Sequence, residues 1–216
     1  MNRLVFLFML LSVVGSCGKA NDEKEPQDNY IMHDDFFYYR FSDDGKSYLT
    51  PCNDEFYLII KTENLDAALD ELHDREFQIT TDPRRLVYHY ADEFSPVQDL
   101  CDCSYLCVKG SGDIDDLDGV VYSHHLYYGK NNVLVGKSNL FSVEYDSQNP
   151  ESQIELSLQY AKKHNIAPID IYRDLCWITF ACTNASSGNP VELSNWFVEV
   201  GGFPSAAPEY SEVSLD

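Results

Sequence analysis

The feature that most constrains this chain is a pair of matching helix starts set among strand signals in its last third. Asn149-Pro150 and Asn189-Pro190 each put a capping residue directly before a proline. At the first helical position the missing proline N–H costs nothing, and the fixed φ suits the helix. The first of these segments runs to Lys162-Lys163-His164-Asn165, ending in cations that suit the helix dipole and an asparagine able to cap it. Its apolar residues Ile154, Leu156, Leu158, Tyr160 and Ala161 would also fit an alternating strand, so the end signals decide for helix. After the second start Glu192 completes a box-like cap, and Leu193, Trp196, Phe197 and Val200 recur at helical spacing until Gly201-Gly202 stops the helix.

Strand signals surround these helices. Residues 140–145 alternate, with Phe141, Val143 and Tyr145 on one side, and residues 169–172 and 175–183 are rich in β-branched and aromatic types. Arg173-Asp174 reads as the turn of a hairpin between the latter two, and a short last strand covers 205–210. Residues 139–212 therefore read β-α-β-β-α-β, the ferredoxin-like, split βαβ order. The first half repeats that order in blurred form. A strand at 56–61 precedes a helix at 65–72, with Leu65, Ala68, Leu69 and Leu72 on one face, and strand candidates follow at 77–80, 86–90, 105–109 and 120–128. The pattern predicts an α+β fold of two related βαββαβ units packed side by side. A small N-terminal β-hairpin, 36–41 with 47–50 around Asp43-Asp44-Gly45, precedes them.

Residues 1–16 stand apart. Arg3 supplies a positive start, and the apolar run 4–14 is shorter than the roughly 20 residues of a membrane-spanning helix, so it reads as a signal peptide. Val14-Gly15-Ser16-Cys17 resembles a bacterial lipobox, in which Cys17 is acylated and becomes the mature N-terminus; the plainer alternative is a secretory signal with an incidental cysteine. Residues 18–29 carry charge and no large apolar side chain, and 17–30 read as a disordered acidic tether. An acidic stretch after the lipid cysteine resembles the surface-export signal of Bacteroidota lipoproteins, which implies the outer face of the outer membrane. The domain boundaries expected are 1–16, 17–30, 31–138 and 139–216. The net charge of −21 repels phosphate backbones, which argues against a nucleic-acid partner.

The last third also resembles a known family. Asn139-Leu140-Phe141-Ser142-Val143, then Leu175-Cys176-Trp177-Ile178-Thr179-Phe180-Ala181-Cys182-Thr183, are similar to the N-terminal prodomain of Bacteroidota subtilisin-like serine peptidases. So are Asn189-Pro190-Val191-Glu192-Leu193-Ser194-Asn195-Trp196-Phe197, Gly201-Gly202-Phe203 and Ala206-Ala207-Pro208-Glu209, although Ala207 stands where the family carries an acidic residue. The chain contains neither a Gly-Thr-Ser nor a His-Gly-Thr segment of the catalytic domain. The resemblance therefore implies no catalytic residue or cofactor, and no enzyme unless the chain is a truncated peptidase precursor. It implies a partner, the catalytic domain of a subtilisin-like peptidase, bound as folding assistant or inhibitor. The sheet of 139–210 would dock, and Tyr210, Val213, Leu215 and Asp216 of the tail would lie in the substrate cleft as an added strand. A frayed terminus is the plainer reading of that tail. The alternative function is a surface lipoprotein that is a binding or structural module with no peptidase partner, for which 15 tyrosines and two tryptophans supply contact surface.

Other candidates are weaker. Cys101, Cys103 and Cys107 are dense enough for a metal with His124 or His125, but their spacing lacks the paired two-residue gaps of zinc ribbons. In an exported chain, disulfides or packing among Cys52, Cys101, Cys103, Cys107, Cys176 and Cys182 fit better, with the pairing open. Cys176 and Cys182, placed on one strand, would share a face too far apart to bond each other. Asp113, Asp115, Asp116 and Asp118 suggest calcium, yet Leu117 breaks the alternation and His124 sits where a glutamate is needed, which favours a solvated loop. His124 and His125, adjacent on a strand, are expected to face opposite sides and not to line one site.

Overall fold

The computed structural model describes residues 36–40, 43–86, 102–129 and 133–209. Strand β1 (Phe36–Arg40) pairs antiparallel with the start of β2 (Asp43–Lys61). Arg40 lies opposite Asp43, so Asp43-Asp44-Gly45 opens β2, and the connection falls on 41–42, outside the described residues. The second half of β2, from Phe56 on, alternates cleanly. Leu58 and Ile60 face α1 (Leu65–Asp74), which buries Ala68 and Leu72, and Tyr57 and Ile59 face the opposite way. After α1 come β3 (Gln78–Ile79), β4 (Arg84–Arg85), β5 (Cys103–Lys109), β6 (Val120–Tyr128) and β7 (Leu134–Val135). Most of the strand expected at 86–90 lies outside the described residues.

In the last third β8 (Leu140–Glu144), α2 (Pro150–Lys163), β9 (Ala167–Tyr172), β10 (Trp177–Ala181), α3 (Pro190–Glu199) and β11 (Ser205–Pro208) follow in the order expected. The described residues thus form an α+β protein with three α-helices and two antiparallel sheets. One sheet runs β3-β5-β2-β6-β7, with β1 on β2 and β4 on β5, and the other runs β11-β8-β10-β9. Both put their first long strand between the third and the last, with the second at the edge. The two sheets differ in one connection. Between β5 and β6, where the second sheet has α3, residues 110–119 cross as a helix-free loop. Ile114 and Leu117 of that loop are buried against Leu58, Ile60 and Leu106, so two side chains supply the cover that a helix gives elsewhere.

The two helix ends resolve differently. Asn189 Oδ1 accepts from Val191 N at 2.9 Å and Glu192 N at 3.1 Å, and Glu192 Oε2 accepts from Asn189 N at 2.9 Å, a complete capping box. Asn149, at φ −135°, makes no side-chain cap bond, and only its carbonyl enters the helix, accepting from Gln153 N. At the other end of α2, Asn165 takes φ 53°, with Ile166 N bonded to Ala161 O and Asn165 N to Lys162 O, a Schellman ending.

α3 buries seven of its ten residues. Phe197 meets Phe141 and Phe180 of the second sheet at 5.6 and 5.4 Å between ring centroids, and Phe203 at 5.4 Å. Trp196 packs edge-on against Tyr160 of α2 at 4.9 Å. On the helix's other side Val191 packs with Leu49 and Tyr127 of the first sheet, and Asn189 Nδ2 donates to Tyr127 Oη at 2.8 Å. One cluster of buried side chains runs through Tyr57, Cys107, Phe141, Phe180 and Phe197. Aromatic pairs of this geometry add about 0.5–1.5 kcal/mol each beyond their buried area.

The two asparagines make a matched test. Asn189→Ala removes both cap bonds and the tie to Tyr127, and should destabilise the fold by about 1–2 kcal/mol in urea unfolding. Asn149→Ala, with no side-chain bond to lose, should change stability by less than about 0.5 kcal/mol.

Candidate functional site

The residues expected to carry attachment and partner binding, Cys17 and Tyr210, Val213, Leu215 and Asp216, lie outside the described residues. Glu209 N bonds to Leu140 O at 2.9 Å, extending the pairing of edge strand β11 on β8 up to the point where the tail begins. On the sheet face turned away from Phe141 and Phe180, Ser142 Oγ and Thr179 Oγ1 are 2.8 Å apart, and both hydroxyls donate to Glu209 Oε1, Ser142 at 3.1 Å and Thr179 at 3.5 Å. Ala207 lies opposite Ser142 and is buried, so an acidic side chain there would be desolvated beside a second carboxylate. At one corner of the same face Tyr172 lies opposite Trp177, and Tyr172 and Leu175 are 44% and 59% exposed.

Among the described residues no two cysteines share a group with metal-ligand spacing. Cys52, Cys107, Cys176 and Cys182 are free thiols, and Cys101 is outside the described residues. Burial pushes the Cys107 and Cys182 thiols up, which keeps them protonated and unreactive. Cys176 and Cys182 do not share a strand face. Cys176 sits in the turn before β10 at φ 59°, and Cys182 follows the strand's end, because the β9–β10 connection takes four residues, 173–176. Among the described residues the one group with metal-like spacing is Cys52, Asp54 and Glu55. Lys109 Nζ lies 3.3 Å from both carboxylates, and Cys52 Sγ donates to Asp54 at 3.2 Å, so these acids already have a cation.

The acidic loop 110–119 is tied down residue by residue. Arg75 donates to Asp113 O at 2.9 Å and Asp116 Oδ1 at 2.6 Å, and Asn64 Nδ2 donates to Asp118 Oδ2 at 2.8 Å. Asp113 Oδ1 accepts from Asp115 N at 3.0 Å, and Asp115 accepts from Ser123 Oγ. Gly119 closes the loop at φ 80°, where a Cβ would come within 2.4 Å of Asn64 Cβ.

This loop forms one wall of a cavity of about 790 Å³ between the two units. Asp113 and Asp115 face Asn189 and Glu192 at the start of α3, and Asn53, Phe56 and Tyr127 complete the lining. His124 and His125 both line it as well, contrary to the sequence expectation. The reason lies in β6. Its outer edge pairs with β7 only at Tyr127 and Tyr128, while Ser123 N donates to Asn184 Oδ1 and Asn184 N to Val121 O. A cavity along the stretch between these ties reaches both faces of the strand. His125 stacks on Phe56 at 4.3 Å, and the His124 ring packs at 5.4 Å from Tyr57.

His124 Nε2 lies 2.6 Å from Gly136 O. A carbonyl only accepts, so Nε2 carries the hydrogen and Nδ1 of the neutral ring is an acceptor. That Nδ1 and the Tyr122 hydroxyl are buried without a hydrogen-bond partner among the described residues. Burial lowers the His124 pKa to about 4 and pushes the Glu192 carboxyl up. Asn189 and Glu192 are legible in the sequence only as a helix cap, and Asn53, Phe56 and Tyr127 carry no local signal, since tertiary packing alone brings them together.

Unfolded histidine takes a proton near pH 6.5 and folded His124 only near 4, so the unfolded chain binds more protons across that window. Stability from this group should be full above pH 6.5 and fall by up to about 3 kcal/mol as pH drops to 4. His124→Gln should remove that part of the slope when urea midpoints are compared at neutral and mildly acidic pH. Comparison of the chain with protein-family models and with curated proteins finds no match in either.

Proposed function

We propose that this chain is a non-catalytic, prodomain-like protein that binds the catalytic domain of a subtilisin-like serine peptidase as folding assistant, inhibitor or both. The observation that carries the reading is the second sheet. Its order β11-β8-β10-β9, all antiparallel, with α2 and α3 both packed on the Phe141–Phe180 face, supports a ferredoxin-like unit of the prodomain type. The first sheet's matching order supports a second, related unit in which the acidic loop replaces one helix, with a β1–β2 hairpin added at the front. Tyr172, Leu175 and Trp177 at the corner of the opposite face are the apolar contacts offered to the enzyme. Tyr210, Val213, Leu215 and Asp216 would follow edge strand β11 into the cleft. The protein is exported and held by acyl chains on Cys17 at the cell surface, consistent with a described structure in which no helix is long and apolar enough to cross a membrane. The cavity between the units favours a second reading, a surface binding module without a peptidase partner.

Mixed with a subtilisin-like peptidase from the same genome, the chain should inhibit it or speed its refolding at micromolar concentration. Removing residues 211–216 should abolish inhibition with the melting temperature unchanged. Tyr172→Asp with Leu175→Asp should weaken binding by about tenfold or more. Neither inhibition nor refolding assistance would remove the peptidase reading, and partner binding that survives the tail deletion would favour the second.

A further inference from the structure

The cavity between the units has a chemical bias that neither reading above uses. Among the described residues its lining includes three carboxylates, Asp113, Asp115 and Glu192, and no lysine or arginine. Each carboxylate spends one oxygen inside the protein: Asp113 Oδ1 on Asp115 N, Asp115 Oδ1 on Ser123 Oγ, and Glu192 Oε2 on Asn189 N. Their second oxygens have no hydrogen bond among the described residues. The N–H groups of the first turn of α3 are already capped by Asn189, so the helix start presents a carboxylate to the cavity instead of bare donors. His124 Nδ1 adds a fourth acceptor without a donor.

A smaller lobe of about 300 Å³ adjoins this cavity, sharing Asp115, Ser123 and Asn189 with it. Tyr122 lines that lobe at 3% exposure, and its hydroxyl has no hydrogen-bond partner among the described residues. Buried hydroxyls are rarely left so, because desolvation without a partner costs about 1–3 kcal/mol. The site therefore has a surplus of acceptors, one buried hydroxyl, and room for a small organic molecule. A single metal ion fits less well, since no three of these ligand atoms lie within 4.8 Å of one another.

We infer that this two-lobed cavity binds an organic cation bearing several N–H donors, an amine or guanidine group, between Asp113 and Asp115 of the acidic loop and Glu192 of α3. The ammonium or guanidinium bonds the open carboxylate oxygens as charge-assisted pairs. The apolar stem lies along the Phe56–His125 stack. The source is either a free small amine or the side chain of a basic peptide.

The test is calorimetric titration of the full chain at physiological salt with agmatine, spermidine, the capped peptide Gly-Arg-Gly, and calcium chloride. Saturable binding of agmatine or spermidine is expected, and binding of the peptide alone would assign the ligand to a peptide chain. Asp113→Asn with Asp115→Asn, checked by an unchanged melting temperature, should weaken that binding by about tenfold or more. Tyr122→Phe should weaken binding with no loss of stability, because the hydroxyl it removes has no hydrogen-bond partner among the described residues. Failure of every cation to bind at millimolar concentration overturns the inference. So does undiminished binding to the double variant, which would mark diffuse attraction to an acidic chain. Tight calcium binding lost in the same variant would make the site a metal site instead.

Discussion

The structure depends on a helix packed between its two sheets. α3 presents Phe197 and Trp196 to the second sheet and to α2, and Val191 to Leu49 and Tyr127 of the first sheet. A helix buried on two sides must either be apolar all round or satisfy its polar atoms internally. α3 does the second at Ser194, whose hydroxyl donates to Val191 O at 2.9 Å, three residues back in its own helix. Ser157 does the same in α2, bonding Ile154 O at 2.7 Å. The capping box then fixes where the helix begins, and with it the register of Trp196 and Phe197 against the sheet.

Much of this was legible before any coordinates, because the signals are local. The proline starts, the glutamate of the capping box, the asparagine ending of α2 and the two glycines after α3 each act within four residues, and the alternation of Phe141, Val143 and Tyr145 needs one strand. The first half was blurred for an equally physical reason. Its second crossover is a loop whose cover comes from Ile114 and Leu117, two apolar residues spaced three apart among four aspartates. That spacing carries no helical period long enough to read, and the aspartates mask it as a solvated or calcium-binding stretch.

The candidate site was nearly illegible, and the histidines show why. Strand alternation correctly puts the His124 and His125 rings on opposite faces, with Tyr57 and Phe56 as their partners. It fails to exclude a shared site because alternation describes the two faces of a strand and says nothing of its edge. Whether β6 has an open edge depends on β7 being two residues long and on Asn184 reaching from the other unit. Both are tertiary facts. The thiols were left open between bridges and packing because spacing does not separate the two; burial does, and Cys107 and Cys182 serve the core as small apolar residues.

The cap of α3 and the wall of the cavity are the same two residues, and this couples whatever the cavity holds to the folding of both units. Glu192 is shielded from water, which favours its neutral form, yet its bond to Asn189 N is strongest when it is ionised. A cation in the cavity would relieve that conflict by favouring the carboxylate, strengthening the cap and through it the seating of Phe197. A ligand that binds only the folded chain stabilises it in proportion to the logarithm of its concentration over its dissociation constant. Here the stabilised element is the helix shared by the two sheets, so occupancy would be felt in the second sheet as well as at the acidic loop. The exposed corner at Tyr172 and Leu175 belongs to that second sheet, in the β9–β10 hairpin whose inner face rests on α2 and α3. A cation bound in the proposed site would thus act, through α3, on the exposed Tyr172–Leu175 corner of the second sheet.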